Sequence, residues 1–124
     1  MTARLPLYGP VPDREALNEA ASAVRTLAIP GCPDLANKLS YLAGVRPSAL
    51  DPSAIVNAID LCTGVMSELA MQSDPSRYVM GDENWLAANE DLISEMVESR
   101  RRSRAIVGAA RDQLKEMVGA LLTV

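Results

Sequence analysis

The side chains able to do chemistry in this chain are carboxylates, arginines and two cysteines; there is no histidine. Without an imidazole the commonest general base is missing, and so is every Ser-His or Cys-His nucleophilic pair. Cys32 and Cys62 lie too far apart for a metal motif, and a zinc site would need both thiolates plus carboxylates, an unusual donor set. Cys62 falls on an apolar helical face and reads as a small buried hydrophobe; Cys32 reads as a loop thiol. The seven glycines are scattered, with no phosphate-cradling GxGxxG or GxxxxGK[ST] run. No catalytic residue, no metal ligand and no cofactor is expected.

The carboxylates pair once at helical spacing, as Glu95-Met96-Val97-Glu98, and Asp112-Gln113-Leu114-Lys115-Glu116 follows. This resembles, distantly, the EExxE and ExxD helix motifs through which all-α NTP pyrophosphohydrolases hold Mg²⁺, which would imply a metal-dependent nucleotide phosphohydrolase. The sequence departs from that pattern: the paired glutamate start is missing and the second spacing is wrong. Both segments also fall on one stretch of helical periodicity, where they cannot face each other within a chain.

The arginines form the other constellation. From Asp82 to Glu98 there are six acids (Asp82, Glu83, Glu90, Asp91, Glu95, Glu98) and no base; from Ser99 to Arg111 there are five arginines (Arg100, Arg101, Arg102, Arg104, Arg111) and no acid. Arg100 and Arg104 share a helix face, with Arg101 about 100° away. A helix can offer such a cluster to phosphates, which makes a nucleic-acid or phosphate-ligand binder the alternative function. No aromatic stands near it to stack bases, and no polar base-reading residues flank it. Charge segregation also permits antiparallel self-association. Two copies crossing near the small Ser99 and Ser103 would set the acids Glu95 and Glu98 of each beside Arg100, Arg101, Arg102 and Arg104 of the other. The simplest use is a solvated helix face, with Glu98 supporting Arg101 and Arg102.

These residues sit on the segment around which the chain is organised. The region from Asp82 to Leu122 contains no proline, and Leu92, Met96, Ser99, Ser103, Ile106, Ala110, Met117 and Leu121 recur at steps of three, four and seven. Leu86, Ile93, Val97, Val107, Leu114 and Val118 widen that stripe. Asp82 is a good N-cap. One continuous helix over 83–122 would span roughly 60 Å, against a radius of gyration of about 14 Å for a compact domain of this size. Such a helix must either break, with Gly108 the best place for a kink, or project.

Upstream, residues 1–12 hold Pro6, Pro10 and Pro12 and read as an extended arm, leaving 13–124 as one helical domain. Helices are expected at about 13–28, 33–43 and 52–71. The first buries Ala16, Leu17, Ala20, Val24, Leu27 and Ala28. The second buries Leu35, Leu39 and Leu42, with Tyr41 at its edge. The third, opened by Asp51-Pro52, buries Ile55, Val56, Ile59, Cys62, Met66, Leu69 and Ala70. The fold class is therefore all-α, a four-helix arrangement with three short helices wrapped on the first part of one long C-terminal helix. Tyr78, Val79 and Met80, an apolar triplet in the loop before that helix, combine with Trp85 as the best partner-binding candidates.

At 3% aromatic content with no phenylalanine the core must be aliphatic, which suits helices. The net charge of −4 repels nucleic acid overall. No run of about twenty apolar residues suggests a membrane helix, and the N-terminus lacks the apolar core of a signal peptide, so a cytoplasmic protein without a membrane partner is expected. The function that fits is a non-catalytic protein–protein interaction module. Adaptor, inhibitor or immunity, chaperone, and phage or viral accessory roles all suit it. It is expected to act as a homodimer or higher oligomer and to contact a further protein.

Overall fold

The computed structural model describes residues 14–45, 49–74 and 83–123. Among them the chain forms four α-helices and no strand: α1 (Arg14–Arg25), α2 (Cys32–Gly44), α3 (Pro52–Gln72) and α4 (Glu83–Thr123). The proline-rich arm, the Asp82 cap and the Tyr78, Val79, Met80 triplet lie outside the described residues.

Local chemistry sets the ends. Asp51 caps α3, its Oδ1 accepting the Ser53 amide at 3.0 Å, and Pro52 fills the position whose N–H would have no helical partner. α2 starts after Gly31, which holds φ at 92°, a conformation that glycine adopts without steric cost. α1 stops at Arg25, three residues short of expectation. The Thr26 hydroxyl donates to the Ala23 carbonyl at 3.0 Å, and the Leu27 amide bonds Val24 in a tight turn. That exit buries Leu27 and Ile29 outside the helix and leaves Ala28 exposed rather than on a core stripe.

One aliphatic core joins all four helices. Leu17 and Val24 of α1, Leu35, Leu39 and Leu42 of α2, Ile55 and Leu69 of α3, and Val107, Leu114 and Met117 of α4 are fully or almost fully buried. Cys32 is among them, at the first turn of α2; it is a core residue rather than a loop thiol because α2 begins one residue earlier than the proline suggests. The buried face of α3 is narrower than its composition implies. Ala58 and Val65 are inside, whereas Val56 is 42% exposed and Ala70 is exposed. α3 is the one described helix long and apolar enough to cross a membrane by length and composition; here it packs on both α2 and α4.

The largest helix contact is between α3 and α4, and its register is readable from side chains. Arg100 Nε donates to Gln72 Oε1 at 2.8 Å, and Arg104 Nε donates to the Met66 carbonyl at 3.3 Å. A Cβ on Gly108 would meet Met66 Cε at 3.2 Å. Numbers rise along α4 as they fall along α3, so the two run antiparallel, and α3 ends level with Arg100. α4 is a single helix of 41 residues through Gly108, which is a point of close approach to Met66 and does not interrupt the helix.

This register overturns one expectation. The short helices pack on the second part of α4, not the first. Described residues 83–96 include no buried side chain; burial begins at Val97 and is dense from Val107 to Met117. The reason is length: α3 runs out at Gln72, and about 25 Å of α4 extends past that level.

Candidate functional site

The overhanging half of α4 carries the features that a contact surface needs. At 100° per residue, Trp85, Leu92 and Met96 project within about 60° of Val107, so the apolar seam that packs on the bundle continues in the same direction past its edge. Leu92 is 56% and Trp85 40% exposed, while Ile93 and Met96 are half-buried. Asn89 is the polar residue in this row. Its Nδ2 donates to the Trp85 carbonyl one turn back at 2.8 Å, which ties the amide to its own helix.

Acids border the seam. Glu83 and Glu90 lie about 100–120° to one side of Val107 and Glu95 about 120° to the other, with Asp91 and Glu98 behind. All five are exposed. Between Glu83 and Ser99 there is no basic residue to offset them.

The structure divides the arginine cluster. Half-buried Arg100 and exposed Arg104 each place Nε on α3, while Arg101 and Arg102 are exposed on the sides away from the bundle. The cluster is therefore two pairs with different surroundings. Arg111, about two turns further along, has an Nε that is buried without a hydrogen-bond partner among the described residues. Its charge acts on Cys62. Burial pushes that thiol up to about 11, against a smaller downward pull from the Arg111 guanidinium. Cys32 is raised as well, again by burial first, with the backbone at Ile29 opposing. Both thiols are held in the protonated, unreactive form.

Glu95, Glu98, Asp112 and Glu116 are exposed and share the one helix, with the two segments about 20 Å apart along its axis. Among the described residues no group of three His, Cys, Asp or Glu side chains could hold a metal ion.

A groove of about 350 Å³ between α2 and α3 is a feature that sequence reasoning missed. Asp34, Asn37, Lys38, Tyr41, Ala54 and Asn57 line it, Tyr41 is 62% exposed, and Lys38 pairs with Asp34 at 3.6 Å. It opens because α2 and α3 make the smallest of the main helix contacts. No motif marks it, since its residues come from two helices whose crossing is not written in either.

The chain matches no family model, no curated protein and no solved structure with which it was compared.

Proposed function

We propose that this protein is a non-catalytic protein–protein interaction module whose contact surface is the overhanging half of α4. One observation carries the reading: an apolar seam in phase with the core continues for about 20 Å beyond the end of α3, with Leu92 and Trp85 exposed on it. A helix presenting anchors at i, i+3/i+4 and i+7 is the form in which one helix packs on another chain. Trp85 supplies the aromatic type enriched at binding hot spots. The engagement of Arg100 and Arg104 with α3 leaves less of the arginine cluster for phosphates, so the interaction reading ranks above a nucleic-acid or phosphate-ligand role.

Self-association is one form of this reading and a different protein partner is the other. Site-specific photocrosslinking in cells tests both, with the photoreactive residue at Leu92 or Met96 and, as the control, at Glu116 on the back of the packed half. Protein adducts from the two seam positions and not from Glu116 are expected. An adduct at twice the chain mass identifies a second copy. Equal yields at all three positions, or none at the seam, would refute the reading.

A further inference from the structure

We infer that the occupant of the α4 overhang is a basic amphipathic helix of another protein, with an apolar stripe bordered by lysine or arginine; this rests on the interaction reading above. Charge complementarity around a shaped apolar strip selects this occupant. The seam from Trp85 to Met96 is about three helical turns long and one side chain wide. Acids stand on both of its borders, and its own helix offers no base before Arg100.

Consider the two candidate occupants. A second copy laid seam to seam brings the same three bordering acids, Glu83, Glu90 and Glu95, against the first set. At physiological ionic strength, charges closer than about 8 Å are incompletely screened, so this packing works against itself. The alternative self-pairing, crossing near Ser99, needs the arginines. Arg100 and Arg104 are directed to α3, and the seam face of 100–121 is occupied by the bundle, which leaves Arg101 and Arg102 on the outer sides. A helix with basic flanks meets the acids on both borders and covers Leu92, Ile93 and Met96 in one placement.

Trp85 is the sole tryptophan, so its emission reports occupancy directly. The probe is a synthetic helix of about three heptads with leucine at the seam positions and lysine at the flanks, titrated into the full chain. A blue shift of Trp85 emission is expected, weakening at least about tenfold between about 50 and about 500 mM salt. A Leu92→Glu/Ile93→Glu variant, checked for retained helicity by circular dichroism, is expected to bind at least about tenfold more weakly although it is more acidic. Arg101→Glu/Arg102→Glu serves as the second variant and is expected to retain binding. Equal binding of a scrambled peptide of the same composition, or of the Leu92→Glu/Ile93→Glu chain, would overturn the proposal by showing charge attraction without a seam. Light scattering on the free chain separates the two levels. A dimer that the Leu92→Glu/Ile93→Glu change converts to monomer would replace the basic helix by a second copy and keep the interaction reading. No peptide binding together with a monomer and no seam adducts would remove both.

Discussion

Arg100 and Gln72 meet at 2.8 Å, and this contact fixes the end of α3 against α4. It joins the last residue of α3 to a residue of α4 about one turn inside Val97, where burial along α4 begins. A hydrogen bond from a charged donor contributes about 1.5–3 kcal/mol when its partner is fixed, and this one is part-buried. Arg100→Ala is expected to lower unfolding stability by about 1–2 kcal/mol, the lower range because Gln72 can rehydrate. Gln72→Ala should cost a similar amount, and the double variant should cost less than the sum. Urea unfolding of the four chains measures the coupling.

Packing on the two halves of α4 should differ sharply. Leu114 is fully buried, so Leu114→Ala leaves a cavity and is expected to cost about 2–5 kcal/mol. Leu92→Ala, at a largely exposed site on the same helix, is expected to stay within about 0.5 kcal/mol of the parent. Comparable losses at both positions would mean that the overhang is covered within the monomer.

Glycine substitutions probe the close approach of α3 and α4. A Cβ at Gly119 meets nothing within 4 Å, so Gly119→Ala is expected to stabilise the chain by about 0.5–1 kcal/mol through helix propensity alone. At Gly108 the added carbon stands 3.2 Å from Met66 Cε, the end of a flexible side chain that can shift by a few tenths of an ångström. Gly108→Ala should therefore gain less than Gly119→Ala, and Met66→Ala should bring the two gains together. Gly31→Ala is expected to cost about 1–2 kcal/mol, since φ of 92° strains any side-chain-bearing residue. Thermal melts of the series check the order.

Alkaline pH should weaken the fold through Cys62. Its folded-state value of about 11 lies above the ordinary thiol value of 9.0, so the folded state holds the proton more tightly than the unfolded one. The associated stability is complete below pH 9 and is lost as pH rises from about 9 through about 11. At roughly 1.4 kcal/mol per unit this amounts to about 2–3 kcal/mol. Cys62→Ala is expected to be less stable at pH 7 and to lose less on going to pH 10, as measured by urea midpoints at both values. Iodoacetamide at pH 8 should label neither thiol until the chain unfolds.

The number and order of the helices were legible in the sequence because each has its own punctuation. Asp51-Pro52 opens α3, Pro30-Gly31 separates α1 from α2, and the absence of proline and asparagine stops after Asn89 lets α4 run on. The covered half of α4 was not legible. Its stripe is periodic from Leu86 to Leu121, and periodicity says which face is apolar but not what lies on it. That depends on α3 ending at Gln72 while running antiparallel, a relation between two helices that neither spells out alone. For the same reason the arginines read as one cluster: spacing placed Arg100 and Arg104 on one face, but only the position of α3 makes that face inward. Val56 and Ala70 looked buried by type and are exposed because α3 has neighbours on part of its circumference.

The unbroken run of α4 makes reach and facing into separate functions of residue count. Adding seven residues within the overhang would lengthen it by about 10 Å and turn its tip by only about 20°, leaving the apolar strip on the same side. Adding two would extend it by about 3 Å yet carry the strip about 200° around, to the side now held by Asp91 and Glu98. The helix thus works as a ruler with a phase, and the facing of the strip at Trp85 is dictated by the core packing of Val107 and Leu114, about six to eight turns away.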